Sequence, residues 1–136
     1  MTNNTNRNKK VILLIILIIF SIVACLVNEK YREPEHIDRL SNAISETQIP
    51  SIPYLRFQKS KYIHSKYYVM RFTFDGKANN RNELAVEVIK RITKAGYKVK
   101  VSHSTKERFY ILAENPNFFF EVSVFSDLLS ISVNEK

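Results

Sequence analysis

Three histidines, one cysteine and thirteen carboxylates are the side chains with the means to catalyse a reaction or hold a metal, and their spacing argues against both. His36, His64 and His103 stand far apart, and Cys25 has no second cysteine to join it, so no zinc-type ligand spacing is present. His103 falls at the end of one expected strand and His64 near the start of another, which leaves their proximity open; a surface imidazole is the common case. The segment FDGKANNRNEL, residues 74–84, puts one glycine and one lysine before an expected helix, where free N–H groups can bind an anion. A single glycine is not a phosphate loop, and Asp75 opposes an anion there. No serine stands in a nucleophile-elbow context, and Asp75, Glu114 and Glu121 are isolated rather than paired, so a cell-wall hydrolase is the least favoured reading. No catalytic, cofactor-binding or metal-binding residue is expected, and the chain reads as non-enzymatic.

The chemistry of recognition is better represented. Arg56, Lys59, Lys61, Lys66 and Arg71 fall in a stretch with no acid between Glu46 and Asp75, interleaved with Tyr54, Phe57, Tyr62, Tyr67 and Tyr68. Near a bilayer, such a basic and aromatic strip over 54–72 suits anionic lipid headgroups or wall polymer. The same mixture stacks on and pairs with single-stranded nucleic acid, a partner disfavoured by the outside location argued below. The plainer reading is a solvated connector whose aromatic rings dock on a sheet. The whole chain carries a formal charge of +8, a mild bias toward anionic partners that demands none of them.

These residues follow an anchor. Val11 to Val27, VILLIILIIFSIVACLV, has no charge and a single hydroxyl, at Ser21. Helical rise over that length gives about 26 Å, the short end of what spans a hydrocarbon core of about 30 Å. Arg7, Lys9 and Lys10 precede it without an acid, whereas the far side is mixed, so the N-terminus is expected in the cytoplasm and the remainder outside. The chain then divides into a basic leader (1–10), an anchor or signal (11–27), a juxtamembrane helix with a proline linker (28–53) and an extracytoplasmic domain (54–136). Ile22-Val23-Ala24-Cys25 resembles the lipobox of bacterial lipoproteins. The resemblance implies cleavage before Cys25 and a diacylglycerol on its sulfur. It covers four residues and the leader, with Ile22 where leucine is preferred and Leu26-Val27 continuing the apolar run. The competing reading is an uncleaved anchor in which Cys25 is a small apolar residue.

Pro34 and the acids after it read as the start of a helix over 35–47, with Ile37, Leu40 and Ile44 on one stripe. Ile49-Pro50-Ser51-Ile52-Pro53 reads as an extended connector. Residues 66–74 alternate as a strand closed by Asp75-Gly76. Asn80 and Glu83 form a capping box opening a helix that ends at Ala95-Gly96, with Glu87 and Arg91 as an i,i+4 pair. Four further strands begin near Tyr97, Phe109, Phe118 and Leu129. The expected fold class is α+β: an N-terminal membrane helix, then a strand, a helix and a four-strand antiparallel meander, with the helix on one sheet face. The other face would carry Tyr110, Leu112, Phe119 and Phe125. That patch is either covered by the 35–47 helix folded back over it, covered by a partner protein or a second copy, or simply exposed.

Together these features suggest a small membrane-anchored extracytoplasmic protein, acting as an interaction or structural module of a bacterial cell envelope. The expected partners are an envelope protein or a second copy, with anionic lipid or wall polymer binding through 54–72 as the alternative. The expected location is the cytoplasmic membrane, or a lipid-anchored position in the envelope if Cys25 is modified.

Overall fold

The computed structural model describes residues 2–105 and 107–136; Met1 of the basic leader lies outside them. One helix, α1, runs Thr2–Glu46. Its segment Asn6–Glu46 contains an 18-residue window of mean hydropathy 3.2, with none of the window buried in protein, and is long and apolar enough to cross a membrane. Pro34 lies inside this helix rather than starting a new one. An internal proline forfeits one backbone hydrogen bond and crowds the preceding turn. The chain divides into two compact units, Met1–His36 and Ile37–Lys136, just past that proline.

The second unit is built around a core of aliphatic and aromatic side chains. At its start Leu40, Ala43 and Ile44 are buried at helical spacing. The Thr47 hydroxyl donates to the Ile44 carbonyl at 2.6 Å and accepts from the Ile49 N–H at 3.3 Å, which turns the chain out of the helix. Ile49–Ser51 forms a single 3₁₀ turn, and Ile49 and Ile52 enter the core. The stretch expected as an extended spacer is therefore folded: burial of two isoleucines outweighs the tendency of the prolines to extend it. The folded unit begins at Ile37 rather than at residue 54.

Six strands follow in one antiparallel sheet: β1 (Arg56–Ile63), β2 (Tyr67–Thr73), β3 (Lys98–Ser104), β4 (Arg108–Glu114), β5 (Phe118–Phe125) and β6 (Leu128–Glu135). Their order is β1-β2-β6-β5-β4-β3. The meander β3 to β6 thus meets the β1–β2 hairpin where β6 pairs with β2. That is one strand more than the pattern predicts. β1, RFQKSKYI, is an edge strand exposed over most of its length, so its residues face solvent and carry no apolar alternation to announce it. It closes on β2 through His64 and Ser65, both with positive φ, and the Lys66 N–H bonds the Ile63 carbonyl at 3.1 Å.

Between β2 and β3 runs α2 (Ala78–Lys94). It begins before the expected capping box. Lys77 is the N-cap and contributes no side-chain bond, while the Asn80 amide instead donates to the Asp75 carbonyl at 2.9 Å. Arg81 donates to the Gly76 carbonyl, so both side chains brace the preceding turn rather than cap the helix. The end matches expectation. Gly96 has φ +91°, and the N–H groups of Gly96 and Tyr97 return to the carbonyls of Thr93 and Ile92, closing a Schellman motif. Glu87 and Arg91 form the expected pair at 2.7 Å. Leu84, Val88 and Ile92 of α2 are fully buried and share one core with Phe72, Phe109, Ile111, Phe120, Val122, Val124, Leu129, Ile131 and Val133 of the sheet.

Candidate binding face

Alternation along a strand sends successive side chains to opposite faces, and cross-strand partners share a face. The register therefore sorts every strand residue. Phe72, Leu129, Val124 and Phe109 form one row on the core side, and Met70, Ile131, Val122 and Ile111 the next. The residues between them define the second face. One of its rows reads Lys59, Arg71, Ser130, Ser123, Tyr110, His103 from edge to edge, and the next reads Lys61, Val69, Ser132, Glu121, Leu112, Val101. A third aligns Arg56, Thr73, Leu128, Phe125 and Arg108.

Both recognition stretches of the sequence thus lie on one surface. The cations of 56–71 occupy the β1–β2 end, Tyr110, Leu112, Phe119 and Phe125 the β4–β5 end, and serines the strip between. No helix covers it. Leu40 and Ile44 are buried with the opposite face, so the 35–47 segment does not fold over Phe119 and Phe125 as one of the expected arrangements required. Its apolar stripe instead joins Leu84, Val88 and Ile92 of α2 in the core. Phe119 remains 39% and Phe125 53% exposed, while Tyr110 and Leu112 are half-buried.

The aromatic end is dressed with cations. The Arg108 guanidinium lies 5.4 Å from the Phe125 ring centre, and the Lys136 ammonium 5.0 Å from that of Phe119, within the range of cation–π attraction. Glu114 accepts from Lys100 at 2.8 Å and from Lys136 at 3.0 Å. Those two hydrogen bonds, Lys100 first, hold its carboxyl below the usual carboxylate range. Burial, and then the Glu121 charge, push the Tyr110 phenol above its ordinary value, so it stays a neutral donor.

At the other end Lys59, Lys61 and Arg71 line a groove of about 120 Å³ together with Ile63 and Val69. Arg39, Lys77, Arg91, Lys100 and Lys136 all hold carboxylates elsewhere; among the described residues, Lys59, Lys61 and Arg71 hold none. Two residues expected with them stand apart. Arg56 lines a separate depression with Tyr54, Asp75 and Asp127, and Lys66 belongs to the hairpin turn, its ammonium 5.4 Å from the Tyr67 ring centre. The sequence pattern overlooked Val69 and Ile63, the floor of the groove, and Ser130 and Ser132 beside it. An alternation count over β6 finds those serines, because Leu129, Ile131 and Val133 point the other way.

His64 lies in the β1–β2 turn and His103 on β3, beside the two opposite edges of the sheet, so they are not brought together. Among the described residues no group of three or more His, Cys, Asp or Glu side chains converges on a metal-sized site. Cys25 is exposed on α1. Comparison of the chain with known protein families, with characterised proteins and with solved structures finds no match.

Proposed function

We propose that this chain is a single-pass envelope protein, N-terminus inside, that holds its α+β domain outside the cytoplasmic membrane as a non-enzymatic docking module for another envelope protein. The observation that carries the reading is the open sheet face, on which Phe119 and Phe125 stay exposed with no element of the folded unit over them. A patch of this kind on a soluble face is the usual mark of a protein contact. The cations beside those rings (Arg108, Lys136 and Lys98) define the partner as an acidic surface with an apolar centre, since like charges across an interface are costly. A second copy presenting the same basic face is the poorer fit.

Both sheet edges support the face, rather than an edge, as the docking surface. The register slips by one residue at Gln58 in β1 and at Lys100 in β3, and a lysine stands beside the first slip (Lys59) and at the second (Lys100), the two devices that discourage strand-to-strand addition. The N-inside orientation draws on Arg7, Lys9 and Lys10 before the apolar run. A lipid on Cys25 is the second reading, supported by the lipobox-like Ile22-Val23-Ala24-Cys25.

The test is crosslinking in intact cells from a photoreactive residue at position 119, with the anchor retained through purification. The expected result is one partner protein in stoichiometric yield, lost in the Phe125→Ser variant and kept in Val86→Ser, which alters a still more exposed apolar site on α2. Equal recovery from Phe125→Ser and the parent chain overturns the reading.

A further inference from the structure

We propose that the groove formed by Lys59, Lys61 and Arg71 is a binding site for the phosphodiester of an anionic phospholipid headgroup. The inference draws on the membrane-anchor part of the function proposed above and is independent of the protein contact at Phe119 and Phe125.

The register builds the site. Lys59 faces Arg71 directly across the β1–β2 ladder, and Lys61 faces Val69 on the next row. All three cations therefore emerge from one face of a two-strand ribbon, over a floor made by Ile63 and Val69. Two features show that this is not an ordinary solvated charge cluster. Like charges placed opposite each other on a sheet are destabilising, yet no carboxylate among the described residues relieves them. The sequence holds no acid between Glu46 and Asp75, and the first acid on the same rows is Glu121, on β5, beyond β2 and β6. The arrangement leaves three donors waiting for an anion.

Size and surroundings select the anion. A groove of about 120 Å³ admits one phosphate group and part of its ester, and is too small for a sugar nucleotide or a peptide. Arg71 offers a planar fork suited to two phosphate oxygens, and the two lysines act as point charges beside it. On the neighbouring strand Ser130 is the register partner of Arg71 and Ser132 that of Val69, so two hydroxyls share the face one strand inward from the groove. The apolar floor suits the glycerol carbons of a lipid better than a fully hydrated free ion.

The same chain supplies the source. Its helix α1 is long and apolar enough to cross a membrane, and nine residues separate the end of the apolar run at Val27 from the start of the folded unit at Ile37. Phospholipid headgroups are therefore the phosphodiesters present at highest concentration around this domain. Each basic residue near an anionic leaflet adds about a fivefold gain in affinity at moderate salt.

The test uses the full chain in zwitterionic detergent micelles, followed by backbone NMR while dihexanoylphosphatidylglycerol, dihexanoylphosphatidylcholine or inorganic phosphate is added. The expected result is saturable shifts with the glycerol lipid, centred on 59–63, 69–71 and Ser130 to Ser132. The Lys59→Gln, Lys61→Gln double variant should weaken them by about thirtyfold, and added salt should weaken them in the parent chain. Both positions are exposed on an edge strand, and an unchanged spectrum outside the hairpin verifies that the variant is folded. Three outcomes overturn the proposal: equal shifts from the choline lipid, shifts that survive the double variant, or full saturation by inorganic phosphate at the same concentration. The last would make this a site for free phosphate. None of them touches partner capture at position 119, so the two readings fail separately.

Discussion

Lys59 and Arg71 are cross-strand partners on the open face of the sheet, two like charges side by side with no acid between them. A fold selected for stability alone would place opposite charges there. Lys59→Glu is therefore expected to raise the unfolding free energy, by about 0.5 kcal/mol, through a new pair with Arg71. The same change should abolish the shifts produced by anionic lipid. Urea unfolding of the full chain in micelles measures the first effect, and a lowered midpoint would show that the two cations do not oppose one another.

Neighbouring phenylalanines on β5 should respond in opposite ways. Phe120 is 1% exposed and its ring lies 5.0 Å from that of Tyr97, so Phe120→Ala should cost about 3–5 kcal/mol. That is a large share of the stability of a domain this size. Phe119→Ala should change stability by about 0.5 kcal/mol or less while weakening partner capture. Thermal melts of the two variants side by side make the comparison.

Gly76 is held against the β5–β6 turn. A methyl group there would stand 2.5 Å from the Ser126 carbonyl oxygen, and the adjoining Phe74 N–H bonds the Asp127 carbonyl at 3.0 Å. Gly76→Ala should destabilise by about 1–3 kcal/mol through displacement of that turn. Hydrogen exchange should show the loss at the Phe74 amide first.

Alkaline pH should unfold the domain through Tyr97. Burial, with a smaller contribution from the Glu46 charge, pushes its phenol from 10.0 up to about 12. A folded-state value above the unfolded one means that the stability is fully present below pH 10 and drains away as pH rises toward 12. Tyr97→Phe should flatten this alkaline limb. Absorbance of the phenolate, followed together with circular dichroism, tests it; ionisation of Tyr97 near pH 10 with the fold intact would be inconsistent with its burial.

Retention of the first 24 residues is expected if α1 is an uncleaved anchor. Mass measurement of the purified chain should then give 15.9 kDa, and metabolically incorporated palmitate should be absent from both the parent and Cys25→Ser. A mass reduced by the leader, together with palmitate that disappears on Cys25→Ser, would establish the lipoprotein reading instead.

The α+β class, α2 and the strands β2 to β6 were legible because each carries its own periodic signal: Leu84, Val88 and Ile92 at helical spacing, and Phe118 through Val124 in alternation. β1 was not, because an edge strand exposed over most of its length has no apolar face to betray it. The start of α2 was misread because Asn80 and Glu83 match a capping box by spacing alone, whereas the Asn80 amide is taken by the Asp75 carbonyl. The cations of 56–71 and the aromatic residues of 110–125 were both visible in the sequence. Their common face was not, since it depends on β6 pairing with β2, a long-range choice that no local pattern encodes.

That same pairing sets an order of events. β2 joins the rest of the sheet only through β6, with Tyr68 opposite Val133, so an early hairpin waits for the last strand of the chain. Contacts of such sequence separation form late. While the polypeptide is still being synthesised, the β1–β2 ribbon has no sheet to join until β6 has followed it.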